Sequence, residues 1–187
     1  MTSIIGICAY NKPFPRVIHE VFNNVEKNEI NSVLDIGCGD GRFIQFFLNK
    51  FNIKEYFAIE PDHKVIERLR RNINTSNYDN LYIIQALWED VRDSFLRRKY
   101  DIVILWDVLM FMDLTKVYHN DTILNSALKE LDVLINITNK YFLFSLHPVK
   151  RCTIHYTEFK KIFEYLDNHE KLELLGKRYL NRVYKIK

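Results

Sequence analysis

The chain has 187 residues, 48% of them hydrophobic and 27% charged, with a formal net charge of +3, which fits a soluble globular protein with one sizeable core. No apolar run approaches the ~20 residues of a bilayer span, and the N-terminus lacks the basic and apolar regions of a secretory signal, so a cytoplasmic protein with no membrane partner is expected. The three cysteines, Cys8, Cys38 and Cys152, are widely spaced and lack C-x-x-C pairing, which points to reduced thiols and away from a disulfide frame or zinc site.

The predicted elements alternate along the chain. Residues 15–28 carry Val17, Ile18, Val21, Phe22 and Val25 at helical spacing, with Pro15 suited to the first turn. A short buried strand follows at residues 32–36, and a helical pattern resumes over 42–51. Residues 56–60 read as a second strand, after which Pro61 opens a helix with Val65, Ile66, Leu69 and Ile73 on one face. Third and fourth strands are expected at 81–85 and 100–106. An amphipathic helix is expected over 121–138, a fifth strand at 141–146 and a further helix over 157–168. The tail reads as two strands around a turn near residues 176–180.

Apolar strands alternating with amphipathic helices predict an α/β fold, a mostly parallel sheet with helices on both faces. With the closing hairpin the strands number seven, the hairpin adding an antiparallel strand at the C-terminal end. No linker, repeat or low-complexity tract divides residues 1–187, so a single domain is expected, with residues 1–31 as an N-terminal segment and helix capping the site. The last 48 residues, 140–187, carry a local charge of +6. Such an excess either faces an anionic partner such as RNA or forms an ordinary solvated surface.

The first strand runs straight into Gly37, Cys38, Gly39, Asp40 and Gly41, a stretch holding three of the five glycines of the chain. Glycine there serves positive φ angles or close approach of a ligand to the main chain. In an open α/β sheet the ligand site lies outside the carboxyl ends of the strands. A nicotinamide dinucleotide fold would show G-x-G-x-x-G, whose third glycine would fall on Arg42, a side chain too long for close helix–strand packing. The acid Asp35 at the strand end disfavours a pyrophosphate and favours a cationic group. The ligand indicated is a positively charged nucleoside.

The run "VLDIGCGDG" resembles motif I of the class I S-adenosylmethionine (SAM)-dependent methyltransferase superfamily, and the similarity in element order extends from about residue 32 to the C-terminus. The resemblance implies a Rossmann-like methyltransferase domain with SAM as cofactor. It places Glu60, followed by Pro61, at the end of the second strand to accept both ribose hydroxyls, for which a carboxylate offers two acceptors. After the third strand the family often has an acid for the adenine amino group. Here "IIQALWEDV" departs from that pattern by putting Leu87 in its place. Backbone groups at Leu87 and Trp88, the Trp88 ring or Glu89 are the candidates for the adenine contact; Trp88 as a core residue is the alternative.

The fourth strand ends at Trp106, Asp107 and Val108, which the resemblance places beside the transferring methyl group. Asp107 is a candidate for contact with substrate or cofactor, or a helix cap. "LWDVLMFM" lacks the [DNS]-P-P-[YFW] tetrapeptide of nucleobase amino-methyltransferases, and "HPVK" after the fifth strand lacks the Asp-Asn pair of the metal-assisted type, so no metal is expected. His147 is the best-placed candidate base, since an imidazole titrates at about 6.5; a rim histidine bound to backbone is the bland alternative. His119, His155 and His169 have no supporting constellation. Tyr10, Asn11 and Lys12 are placed over the cofactor mouth by fold analogy alone.

Methyl transfer to an unidentified acceptor (small molecule, protein or RNA) is the function expected, at a shallow, open site. A non-catalytic SAM-binding or scaffold subunit is the alternative, disfavoured because the glycines and Glu60 are intact.

Overall fold

The computed structural model describes residues 14–109, 112–119, 121–146 and 156–187. Helix α1 (Arg16–Phe22) leads to β1 (Ser32–Ile36), α2 (Arg42–Lys50), β2 (Glu55–Ile59) and α3 (His63–Asn72). Then come β3 (Leu81–Ile84), α4 (Trp88–Phe95), β4 (Tyr100–Trp106), α5 (Ile123–Asn136) and β5 (Thr138–Ser145). Helix α6 (Tyr156–Asp167) and the strands β6 (Leu172–Arg178) and β7 (Asn181–Ile186) complete the order.

The strands form one seven-stranded sheet in the order β3-β2-β1-β4-β5-β7-β6. The five strands β1 to β5 pair in parallel, and β7 enters antiparallel between β5 and β6. This is the mostly parallel α/β sheet with a closing hairpin that the sequence pattern predicts. The central strands are apolar throughout because helices cover both faces. Alternate residues of β4 divide the core: Ile102 and Ile104 join α1, α2 and α3, whereas Val103 and Leu105 join α4, α5 and α6.

Most boundaries fall within two or three residues of expectation. The first helix is the exception, stopping at Phe22 six residues early. Its continuation is Asn23–Asn24, and asparagine side chains compete for backbone hydrogen bonds that a helix needs. The third helix starts at His63, because Asp62 caps it: Oδ1 accepts from the Lys64 and Val65 amides at 2.8 and 3.4 Å. Helix α4 was absent from the sequence-based expectation. It is eight residues long and uncapped by its N-cap side chain, and its apolar residues Trp88, Val91 and Phe95 make too short a run to stand out.

The hairpin turns at Tyr179, whose φ of 54° is left-handed and whose side chain is 84% exposed. Upstream, Gly176 sits under α1: a Cβ there would stand 2.7 Å from Val17 Cγ2 and 2.8 Å from Val21 Cγ2. Glycine thus lets the first helix lie flat across the edge strand.

Candidate functional site

The direction of strand addition reverses between β1 and β4, with β2 and β3 on one side and β5 on the other. Crevices in open α/β sheets form at this switch point, outside the carboxyl ends of the strands. The loop from Gly37 to Gly41 lies there. All three glycines take positive φ, 72° at Gly37, 58° at Gly39 and 84° at Gly41. A Cβ on Gly37 would stand 2.2 Å from Val108 Cγ2, so the chain leaving β4 closes directly onto the loop. A Cβ on Gly41 would stand 2.5 Å from Ile73 Cδ1 and 3.1 Å from Leu69 Cγ, so that glycine seats α2 against α3.

Glu60 ties this loop to the end of β2. One carboxylate oxygen accepts the Gly39 amide at 3.2 Å, and the other accepts the Asp62 amide at 3.1 Å. Each oxygen keeps a second lone pair, so the group is oriented yet still able to accept from two adjacent hydroxyls. Burial raises its pKa, and the two amides oppose that shift. Pro61 fixes the bend between Glu60 and the Asp62 cap. The Gly37 and Cys38 amides donate to the Ile59 carbonyl at 2.7 and 3.0 Å, a second tie between the loop and β2.

Asp35 lies beneath the loop, 1% exposed, and its Oδ2 accepts the Tyr56 hydroxyl at 2.8 Å. Burial pushes its pKa up to about 7, the Tyr56 bond lowers it and the Glu60 charge raises it. Its influence on a cationic ligand is therefore through the field of the buried carboxyl. The Cys38 thiol is buried as well; desolvation, then the charges of Asp35 and Glu60, raise its pKa well above the usual thiol range. A thiol held protonated in this way is a poor nucleophile. Asp40 forms a two-point pair with Arg42, at 3.2 Å from Nε and 3.1 Å from a terminal nitrogen.

At the end of β3, Leu87 is half-buried at the N-cap of α4, which offers its first-turn amides toward the crevice without a side-chain cap. The Trp88 ring is 3% exposed, within the core, and its Nε1 donates to Glu130 at 2.8 Å. The ring thus takes the core role, which leaves the main chain of this turn as the polar surface. Glu89 accepts the Asp113 amide and so holds the segment after β4 against α4.

At the end of β4, the Trp106 ring packs at 5.2 Å on Phe43, on the α2 side of the sheet. Asp107 is half-buried with a left-handed φ of 59°. Its amide donates to the Ser145 carbonyl at 2.9 Å, and its Oδ1 accepts the Ser145 hydroxyl at 2.7 Å. The Asn181 side chain lies 2.9 Å from the same hydroxyl. Ser145 of β5 therefore fixes the Asp107 carboxylate, and Asn181 of β7 lies against the same hydroxyl. A residue in such a sparsely populated conformation persists where its surroundings over-determine it, and such positions cluster at functional sites.

His147, Tyr10, Asn11 and Lys12 lie outside the described residues. Among the described residues, His169 pairs with Asp132 at 3.1 Å, remote from the loop. Sequence reasoning missed Tyr56, Ser145 and Asn181. Each acts across a strand pairing, and nothing in the linear order announces the register. No group of three or more metal-ligating side chains is brought together among the described residues.

The strand-order reversal and the left-handed glycine loop after the first strand are those of the class I SAM-dependent methyltransferase fold. The methyltransferase domain family matches residues 33–128, just over half of the chain, and the chain belongs to that family. A malonyl-[acyl-carrier protein] O-methyltransferase of Ilyobacter polytropus is 27% identical over 78 residues, 42% of this chain and 28% of that protein. A ribosomal protein L11 methyltransferase of Thermotoga petrophila is 27% identical over 96 residues, 51% of this chain and 36% of that protein. The matched stretches thus span about a third of those relatives. Among solved structures, a magnesium protoporphyrin IX methyltransferase of Synechocystis with bound SAM superposes with a TM-score of 0.54 at 18% identity, covering 91% of this chain and 75% of that one. An rRNA methylase of Streptococcus thermophilus gives 0.61 at 12% identity, covering 94% and 98%.

Proposed function

We propose that the chain transfers a methyl group from SAM to an acceptor by in-line displacement. The observation that carries this reading is the Glu60 carboxylate, held by two backbone amides with a lone pair left on each oxygen, at the rim of a left-handed glycine loop. That arrangement fits a ribose diol. The loop's three glycines all take positive φ, which leaves their main chain without side-chain cover from their own residues.

Glu60 would hold the ribose, the loop from Gly37 to Gly41 the amino acid end, and the first turn of α4 at Leu87 the adenine. When bound, SAM supplies a methyl carbon activated by its sulfonium. The chain's own part is alignment and exclusion of water, and such positioning lowers barriers by up to about 7–11 kcal/mol. Asp107, fixed by Ser145, stands at the strand end where an acceptor would approach. Its carboxylate suits hydrogen bonding to an acceptor N–H or O–H and turning the lone pair toward the methyl carbon.

The relatives named above carry acceptors as different as an acyl carrier protein and a ribosomal protein, so the acceptor of this chain is open. Incubation with tritium-labelled SAM and separated RNA, protein and metabolite fractions tests the reading. Label in one fraction, reduced by Glu60→Ala, is the result expected. Label in none, with SAM still bound, would favour a non-catalytic SAM-binding subunit.

A further inference from the structure

The outward face of α2 carries a feature that methyl transfer does not use. Phe43, Ile44 and Phe47 bury its inner side, while Arg42, Gln45, Phe46, Asn49 and Lys50 form one outer stripe. With Phe14, just before α1, and His19 within it, that stripe lines a shallow, open cleft of about 380 Å³. Phe14 and Phe46 stack at 4.8 Å and 28°, and the His19 ring meets both edge-on at 5.1 and 5.0 Å. These rings hold one another in place, so the aromatic wall is preformed.

The polar groups around it share one character. Arg42 and Lys50 are cationic, Gln45 and Asn49 are amides, and among the described residues the lining holds no carboxylate, although Arg42 shares its charge with Asp40. Arg42 is oriented by Asp40, and Asn49 is oriented by the Tyr78 hydroxyl at 3.2 Å. Flat rings, paired donor–acceptor amides and positive charge match the three parts of a nucleotide: a stackable base, its hydrogen-bonding edge and an anionic phosphate. An acidic peptide would use the charge and leave the rings idle. Arg42 is also the first residue of α2, directly after Gly41, so one end of the stripe reaches the glycine loop.

We infer that this cleft binds an unpaired nucleotide of a single-stranded nucleic acid, which, if the methyl-transfer reading holds, is the molecule carrying the acceptor. The test is a fluorescence anisotropy titration of the whole chain with labelled oligouridylate, oligothymidylate and an RNA duplex. Both single strands should bind and the duplex should not; a preference for either single strand identifies RNA or DNA as the source. Lys50→Gln should lower the slope of log affinity against log salt by about 0.7. Phe46→Leu should weaken binding about tenfold through lost stacking. Gln45→Glu, on an exposed position, should weaken it without touching the core. SAM titrations of the same variants should be unchanged, so loss of SAM binding in the unaltered chain would remove the methyl-transfer reading and leave the cleft standing. Single strands that fail to bind, bind no better than the duplex, or bind all three variants as well as the unaltered chain would overturn the inference.

Discussion

Asp35 carries an acid into a setting that withholds water from it. Its carboxyl is 1% exposed with a pKa raised from 3.8 to about 7, chiefly by burial. An unfolded aspartate loses its proton near pH ~4, so between there and about 7 the folded state holds a proton that the unfolded state has released. Stability therefore falls as pH rises through that window, and the loss is complete above it. Asp35→Asn keeps an oxygen for the Tyr56 hydroxyl and removes the ionisation. Its stability relative to the unaltered chain should rise by roughly 2–4 kcal/mol between about pH 5 and pH 8, read by urea denaturation. A gap independent of pH would mean that Asp35 is ionised in the folded chain throughout. At Glu60 burial also raises the pKa, but two backbone amides oppose the shift and orient the carboxylate. Glu60→Ala should weaken SAM binding by about 1–3 kcal/mol in calorimetric titration. Both acids were legible in the sequence as site candidates. That one lies under the loop and the other at its rim was not, because burial depends on Tyr56 and on the helices above.

At the scale of elements, two contacts set the geometry of the crevice. Gly41 has a φ of 84° and meets Leu69 of α3 and Ile73 directly after it, so Gly41→Ala adds left-handed strain to a steric clash. A loss of roughly 1–3 kcal/mol is expected, visible as a lower Tm. The second contact locks α4 to α5. The buried Glu130 carboxylate accepts Trp88 Nε1, Arg92 Nε and the Tyr118 hydroxyl, at 2.8 to 3.1 Å. Burial and then the Glu130 charge push the Tyr118 pKa up to about 12. Glu130→Ala leaves three donors without their acceptor and should cost about 3–5 kcal/mol. The phenol of Tyr118 should then titrate lower, and Glu130→Gln should recover part of the stability. This lock explains what sequence could not decide about the third strand end. Trp88 sits next to an expected adenine contact, yet its ring is committed to a residue 42 positions away. Strands were readable because apolar runs of five to seven residues dominate their own burial; α4 was not, because long-range bonds hold it.

For the molecule as a whole, the sheet order and the closing hairpin follow from element order, whereas the distribution of charge does not. The basic excess of the last 48 residues is partly offset from outside that stretch, where Arg178 pairs with Glu20 and Lys140 with Asp101, while Lys160 with Glu164 and Lys177 and Arg182 with Asp167 pair within it. Arg182 is itself buried, stacked 4.5 Å over Phe163. Electrostatic attraction of an anionic partner to that end is correspondingly weakened, and the global property left to test is the cofactor itself. A ligand bound only by the folded state stabilises it by about 2.7 kcal/mol at a hundredfold excess over Kd. For a chain of this size that corresponds to a Tm rise of roughly 5–11 °C. SAM and its demethylated product should each produce it, and NAD should not, since Arg42 stands where a dinucleotide loop requires glycine. Glu60→Ala should reduce the rise at fixed ligand concentration. An equal rise with NAD would show a loop able to take a pyrophosphate after all, and the buried Asp35 would then need to stay protonated beside it.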